Sequence, residues 1–243
     1  MREKSSISKC SSSGFSVIEL ILVVAVIFVL SSISLFYATA HQKLYKPDEQ
    51  ALLITDLLQE ARQRSLTQRE TMRVEINRDA NSVTLIDENT TMNGGLPDDV
   101  DNDQIVRSIR LLTSDQVTVG SAPGQIGYNP PEPTPVDTCV FNISVYPTSI
   151  AQSVCTIRFR PFSGESGQAA IVDAGTNPLG TDANPISVTI HVWSPSTATP
   201  TNSDISRAIT IIGATASIRL WEFDENLTTT NKWKNSRRGG GTY

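Results

Sequence analysis

The sequence predicts an α+β fold in which a long N-terminal helix packs on antiparallel β-sheets. Two observations support this class: an apolar run over residues 20–30 precedes an amphipathic helical stretch, and the rest of the chain is dominated by short alternating or β-branched segments. The length of 243 residues is sufficient for a buried core in one domain or in two small ones.

The composition excludes several classes of function. The 20 basic residues stand against 25 acidic ones, so a formal charge of −5 gives no field over the whole molecule that would attract a polyanion. Three Cys and two His, without CxxC or HExxH spacing, predict no metal centre and no cofactor. His41 and His191 fit no Ser-His-Asp arrangement and no GxSxG motif occurs, so we expect no enzymatic activity.

The apolar run is long enough to span a bilayer. No formally charged residue occurs between Glu19 and Lys43, and at about 1.5 Å per helical residue this stretch covers a hydrocarbon thickness of about 30 Å. The first 14 residues contain three basic residues and one acidic residue, which predicts a cytoplasmic N-terminus and a globular remainder on the other side of the membrane.

Three explanations compete for this N-terminus: a secretory signal peptide, a signal anchor and a short leader that is cut off before the apolar run. Ser31, Ser32 and Ser34 offer small residues for cleavage after the apolar run. Glu19 argues against a signal peptide, because inserting a carboxylate into a membrane costs about 2–3 kcal/mol and its presence therefore requires a functional explanation. The alternative is a Glu at the headgroup level.

The next segment predicts an amphipathic helix that lies against a sheet. Pro47 is followed by acidic residues suited to a first turn, and arginines occur near the expected end at Gln68. The apolar stripe recurs at helical spacing over Ala51, Ile54, Leu58, Ala61 and Ser65, broadened by Leu53 and Leu57. A coiled-coil partner is the competing explanation for the stripe.

Strand signals dominate the remainder. MRVEI and SVTLID flank NRDAN and predict a hairpin, and further strands are predicted in QIVRSIRLL, CVFNISVY, CTIRFRP, QAAIVDA, ISVTIHVW, SRAITII and SIRLWEF. About eight to ten strands favour two packed antiparallel sheets over one flat sheet. The stretch GSAPGQIGYNPPEPTP is too rich in Gly and Pro for regular structure, so we predict a long surface loop there.

Two segments resemble a known family. The sequence GFSVIEL, from Gly14 to Leu20, resembles the type III signal of type IV pilins and type II secretion pseudopilins: a short basic leader, Gly, Phe, three residues, Glu and an unbroken apolar helix. LLQEARQRSLTQRETMRVEI resembles the helix-to-strand segment of minor pseudopilins of the GspH/FimT family, through Ala61-Arg62, Ser65 and Val74.

The resemblance implies specific processing and assembly. A prepilin peptidase would cut between Gly14 and Phe15 on the cytoplasmic side and N-methylate Phe15. Glu19 would pair with the N-terminal amine of a neighbouring subunit, which relieves the cost of an unpaired carboxylate in a medium of low dielectric constant. The implied partners are other pilin or pseudopilin subunits, the prepilin peptidase and the assembly platform of the inner membrane.

The resemblance also implies a pilin-like organisation of the chain. Its parts would be a cleaved cytoplasmic leader (1–14), the hydrophobic transmembrane half of the N-terminal helix (15–46), the amphipathic half (47–70), and a globular periplasmic β-domain with a flexible basic C-terminal tail (71–243). The protein would span the inner membrane once and assemble into a periplasmic or surface filament.

The cysteines then predict a disulfide. Because Cys10 would be removed with the leader, Cys139 and Cys155 remain as a pair in an oxidising compartment. Closing such a loop stabilises by roughly 3 kcal/mol in the chain-entropy model. The alternative is two buried free thiols.

Two charged segments suggest binding. Asp99, Asp101 and Asp103 alternate as in calcium loops, although the EF-hand pattern is excluded; a solvated acidic loop is favoured and no metal is predicted. In the tail, basic residues around an aromatic could hold phosphates and stack a base: Lys232, Trp233, Lys234, Arg237 and Arg238. The competing explanation is a charged, Gly-rich disordered end.

Three functions follow from these patterns. The preferred hypothesis is a non-enzymatic minor pilin or pseudopilin of a type II secretion or type IV pilus system. The first alternative is a DNA-binding minor pilin of a DNA-uptake pilus. The second is a signal-anchored extracytoplasmic β-domain that binds a ligand.

Overall fold

The structure is a computed structural model that describes residues 16–88, 103–123, 126, 129–133, 136–144, 152–160, 171–173, 187–195, 206–213, 215–228 and 231–236; for 38–44, 142–144 and 171–173 it describes the backbone only. This part of the chain contains one helix and twelve strands. They are α1 (Val17–Gln68), β1 (Thr71–Asn77), β2 (Ser82–Glu88), β3 (Gln104–Arg110), β4 (Thr118–Gly120), β5 (Asp137–Thr138), β6 (Asn142–Ser144), β7 (Gln152–Arg160), β8 (Ile171–Asp173), β9 (Val188–Trp193), β10 (Ser206–Ile212), β11 (Ser217–Phe223) and β12 (Trp233–Asn235).

The chain divides into two compact units between Gln42 and Lys43, and α1 contributes residues to both. In the first unit, residues Val17–Tyr37 form an apolar stretch with a mean hydropathy of 2.7 and no buried portion. By length and composition this stretch is able to cross a membrane, as a signal sequence also is.

Helix α1 is continuous for 52 residues and ends where the sequence predicts. Pro47, the predicted start of the amphipathic half, lies inside the helix, where its missing N–H removes one backbone hydrogen bond. After Gln68 the backbone of Arg69 turns left-handed (φ 59°), and its N–H donates to the Ser65 carbonyl at 3.1 Å. This is a left-handed cap that satisfies a terminal carbonyl.

The strands of the second unit form two six-stranded sheets. Sheet A has the order β3-β2-β1-β7-β6, with β8 also on β7, and sheet B has the order β12-β11-β10-β9-β4, with β5 also on β9. The predicted hairpin is confirmed, since β1 and β2 pair antiparallel from Thr71↔Glu88 to Asn77↔Ser82. The predicted antiparallel sheets are confirmed as well, although the described β5 runs parallel to β9.

The amphipathic half of α1 and both sheets share one apolar core. The predicted stripe is buried at Ala51, Ile54, Leu57, Leu58 and Ala61, and it packs with alternate residues of both sheets, among them Val74, Ile157, Ile190 and Ile209. The helix is also fastened by polar contacts: the Ser65 hydroxyl donates to the Phe159 carbonyl at 2.9 Å, and Arg207 pairs with Asp48 at 2.8 Å. The α+β class is therefore confirmed.

The Pro-rich stretch 120–135 lies partly at the surface, as predicted, with Ser121, Asn129, Pro131 and Pro133 exposed, but it is also partly buried. Beyond Gly120, which ends β4, its described residues are irregular, as expected from their composition. Ile126 is nevertheless buried, and the Glu132 side chain is fully buried against sheet B. Gly and Pro exclude a hydrogen-bonded ladder, but they do not determine whether other elements cover the segment.

Candidate functional site

The N-terminal end of α1 carries the predicted assembly residue. Ser16 begins the helix, because its carbonyl accepts the N–H groups of Glu19 at 3.0 Å and Leu20 at 3.2 Å. The Glu19 carboxylate therefore lies in the first helical turn, where the helix dipole favours a negative charge. Its apolar neighbours Ile18 and Leu20 are 75% and 60% exposed. Among the described residues Glu19 forms no ion pair.

The predicted processing residues lie just before this helix. Gly14 and Phe15 are outside the described residues, so cleavage between them and methylation of Phe15 stay predictions. What the structure adds is that α1 begins at Val17, directly after these residues.

The structure joins Cys139 and Cys155 in a disulfide, the pair that the sequence predicts. Their Cα atoms are 6.1 Å apart and both residues are buried. Cys155 belongs to β7 of sheet A, whereas the Cys139 N–H donates to the Thr189 carbonyl of sheet B at 3.0 Å. The disulfide therefore connects the two sheets covalently.

The candidate nucleic-acid residues of the tail are arranged differently from the prediction. Residues Trp233–Asn235 form β12, paired with β11, and are not part of a flexible tail. Trp233 is only 4% exposed and packs edge-on against Phe223, with ring centroids 5.3 Å apart. The prediction that Trp233 stacks on a base is therefore wrong, because the indole ring already belongs to a small apolar cluster with Ala208 and Trp221.

The two lysines of this segment contact the protein itself. Lys234 pairs with Asp224 at 3.0 Å, and Lys232 donates to the Glu225 carbonyl. The Lys234 ammonium lowers the pKa of the Asp224 carboxyl, mainly through this hydrogen bond. Arg237 and Arg238 lie outside the described residues. Lys234 is therefore held by a carboxylate of the protein and Lys232 by a backbone carbonyl.

The candidate calcium loop contributes one described residue. Asp103 lies directly before β3, and its carboxylate accepts from the Arg73 guanidinium at 2.7 Å; Asp99 and Asp101 are outside the described residues. The described residues contain no group of three or more His, Cys, Asp or Glu that could hold a metal ion. The Asp103 carboxylate serves an ion pair within the chain.

A buried ionic cluster is the largest feature that sequence reasoning missed. It consists of Arg73, Glu75, Glu88, Asp103 and Arg158, and it lies on the face of sheet A opposite to Val74 and Ile157. Arg73 reaches three carboxylates, Glu88 at 2.7 Å, Asp103 at 2.7 Å and Glu75 at 2.9 Å, and Arg158 reaches Glu88 at 2.8 Å. The alternation in RVEI implies that Arg73 and Glu75 share one face of the strand, but it does not predict that this face is buried.

Burial and charge pull the pKa values of the ionic cluster in opposite directions. Burial lowers the pKa of Arg73, but the carboxylates of Glu88, Glu75 and Asp103 outweigh this effect and raise it. Burial raises the pKa values of the Glu75 and Glu88 carboxyls, although the arginines partly oppose the shift.

On sheet B, a single buried carboxylate fastens the Pro-rich stretch. Glu132 accepts from Arg219 at 2.7 Å and from the Trp221 indole at 2.9 Å, and it also bonds the Thr210 hydroxyl. Nearby on the same face, His191 is fully buried beside Trp233, with ring centroids 5.7 Å apart. Burial lowers the pKa of His191 to about 4, so this imidazole is neutral at neutral pH.

In comparisons with known proteins, no family model matches the chain, and no curated protein and no solved structure matches it. The class that fold and site define is therefore an α+β protein with one N-terminal apolar helix that is able to anchor it in a membrane.

Proposed function

We propose that this protein is a non-enzymatic minor pilin or pseudopilin, a structural subunit of a filament built by a type II secretion or type IV pilus system. The observation that carries the proposal is the exposed apolar stretch Val17–Tyr37 with one acidic residue, Glu19, in its first turn. A helix that is apolar on all sides requires lipid or other apolar helices around it. The resemblance of residues 14–20 to a type III signal supports the same function.

In this function Glu19 sets the register of assembly. Cleavage after Gly14 would create a new amine on Phe15, close in sequence to Glu19. The amine of one subunit and the carboxylate of the next would neutralise each other within an apolar surrounding, where either charge alone is costly. Apolar packing would supply adhesion between the helices, and the charge pair would define their axial offset.

Intact mass and N-terminal sequencing test the proposal. The full chain is extracted from membranes of cells with and without a prepilin peptidase. We expect a mature chain that begins with methylated Phe15, and only where the peptidase is present. Gly14→Ala should be processed poorly, whereas Ser13→Ala, one residue earlier, should be processed normally.

Other outcomes would contradict the proposal. A chain that stays uncut in the presence of the peptidase indicates a signal-anchored domain, and a chain cut after the apolar stretch indicates a secreted one. In either case the function would reside in the β-domain. For assembly, Glu19→Gln should be processed but should fail to enter filaments, while Asp56→Asn, on the exposed side of the same helix, should assemble normally.

A further inference from the structure

A polar groove lies between the last turns of α1 and the start of β11. It encloses about 380 Å³ and is lined by Gln59, Arg62, Gln63, Leu66, Ser217 and Ile218. Small-ligand sites occupy about 300–1,000 Å³, so the groove is large enough for a short peptide segment. All of its lining residues belong to the second unit of the chain.

Arg62 is the distinctive residue of this groove. Its Nε atom is buried without a hydrogen-bond partner, and the guanidinium forms no ion pair within the described part of the chain. Arg64, on the same helix, pairs with Glu60 at 2.9 Å, and the buried Arg73 and Arg158 pair with carboxylates. A guanidinium that lines a groove and has no carboxylate partner among the described residues can take one from a ligand.

The lining selects the kind of anion. Arg62 is the single cation among the six lining residues, so the charge of the groove matches one negative charge. A phosphate monoester carries about −1.5 to −2 at neutral pH, and a nucleic acid presents rows of phosphates that require several cations. The amides of Gln59 and Gln63 both donate and accept hydrogen bonds, as a peptide backbone does. Leu66 and Ile218 offer a short apolar surface.

We propose that this groove binds a peptide carboxylate of a neighbouring polypeptide, with Arg62 as the anchor. The ligand is an Asp or Glu side chain or a C-terminal carboxylate. The inference rests on the proposed function for the source of the ligand, an adjacent subunit, but the recognition itself requires only the groove. Ser217 donates a second hydrogen bond to the same carboxylate.

Arginine labelling tests the binding directly. The full chain in detergent is treated with phenylglyoxal, and modification of each arginine is measured by mass spectrometry. The probes are N-acetylglutamic acid N-methylamide, N-acetylalanine, inorganic phosphate and the neutral N-acetylglutamine N-methylamide. We expect either carboxylate probe to slow labelling of Arg62 about tenfold while labelling of Arg64 is unchanged. The carboxylate that protects at the lower concentration identifies a side chain or a chain terminus as the source.

Three results would overturn the proposal: equal protection of Arg62 and Arg64, protection by phosphate at a lower concentration than by both carboxylates, or no protection of Arg62. Variants add a second readout, the heat of binding of the better carboxylate probe. Arg62→Gln should abolish this heat and Arg62→Lys should weaken the binding, because Lys lacks the planar fork. The matched control Arg64→Gln should bind as the unaltered chain does.

A fourth variant covers the case in which changes at Arg62 disturb folding. Ser217→Ala, at the edge of the groove, should weaken binding about threefold, and unchanged affinity would contradict the assigned hydrogen bond. These measurements need neither peptidase nor filament. Failure of the leader to be processed would therefore refute the filament function and leave the groove intact, whereas loss of probe binding would refute the groove alone.

Discussion

Each of the two sheets has a second buried face that points away from the shared core, and these two faces differ in their chemistry. On sheet A this face carries the ionic cluster, in which Arg73 and Arg158 are surrounded by carboxylates. On sheet B it carries neutral polar groups and aromatic rings, including His191, Trp221 and Trp233, with Glu132 as a buried carboxylate from the Pro-rich stretch. The ionised face depends on its ion pairs, whereas the neutral face, apart from the pair of Glu132 with Arg219, depends on its groups remaining uncharged.

The difference shows how a buried polar group is tolerated. Within the ionic cluster each charge faces an opposite charge within 3 Å, because an isolated ion would lose several kcal/mol of solvation. On sheet B the side-chain polar atoms of Thr189, His191 and Ser206 are buried without a partner. Neutral groups bear this at a smaller cost, and His191 does so because its pKa is lowered.

The largest expected effect comes from removing the central cation of the ionic cluster. Arg73→Met leaves Glu75, Glu88 and Asp103 with one guanidinium, so we expect the free energy of unfolding to fall by about 3–5 kcal/mol at pH 7. Urea unfolding of the full chain in detergent, followed by circular dichroism, measures it. Arg107→Gln breaks the exposed pair with Glu60 and should cost less than about 1 kcal/mol. If Arg73→Met and Arg107→Gln lowered the free energy of unfolding equally, the buried ion pairs would not be more important than the exposed one.

Acid should destabilise the neutral face through His191. Its pKa is about 4 in the folded protein against 6.5 ordinarily, so between these pH values the unfolded chain binds a proton that the folded chain does not. The free energy of unfolding should therefore fall by about 3 kcal/mol as the pH drops from 6.5 to 4. Glu75 and Glu88, whose pKa values are raised, act in the opposite direction.

The contribution of His191 is isolated by substitution. His191→Phe removes the titrating imidazole, and His191→Gln serves the same purpose if the Phe ring does not fit. Over this pH range the free energy of unfolding of the variant should fall by about 3 kcal/mol less than that of the unaltered chain. The comparison uses urea unfolding at several pH values between 6.5 and 4. If the variant and the unaltered chain show the same pH dependence, the imidazole is not the responsible group.

A smaller effect is expected where sheet B holds its buried carboxylate. Glu132→Gln keeps the shape but removes the charge that accepts from Arg219, so unfolding should become easier by about 2 kcal/mol. The fluorescence of Trp221, whose indole donates to Glu132, should report the loosened contact. The exposed control Glu225→Gln should stay within about 0.5 kcal/mol of the unaltered chain. A cost at Glu132 as small as the control would contradict the assigned role.

Periodicity predicted the elements because it depends on neighbours in sequence. A spacing of three and four residues located the buried stripe of α1, and a spacing of two located the hairpin of β1 and β2. Periodicity identifies which residues share a face, but a second element decides whether that face is covered. A spacing of two in MRVEI implies that Arg73 and Glu75 share one side of β1, but it does not determine whether that side is buried.

The candidate sites also differ in whether their neighbours in sequence were sufficient to predict them. Glu19 was found because a charge inside an apolar run is conspicuous in the sequence alone. Trp233 was misjudged because its basic, Gly-rich surroundings are typical of a solvated tail, whereas pairing with Phe223 on β11 places it in an apolar cluster. The groove at Arg62 requires Ser217 and Ile218 from far along the chain, so no local pattern could reveal it.

The order in which the two sheets take up strands has a consequence for biosynthesis. Sheet A receives β1–β3, sheet B then receives β4 and β5, the chain returns to sheet A for β6–β8, and β9–β12 complete sheet B. β1–β3 pair with one another, but a chain that emerges N-terminus first from a ribosome or a translocation channel must keep β4 and β5 without their strand partner β9 until late in synthesis. Termination before β10 would leave β9 as an open edge, so incomplete chains should be strongly prone to aggregation.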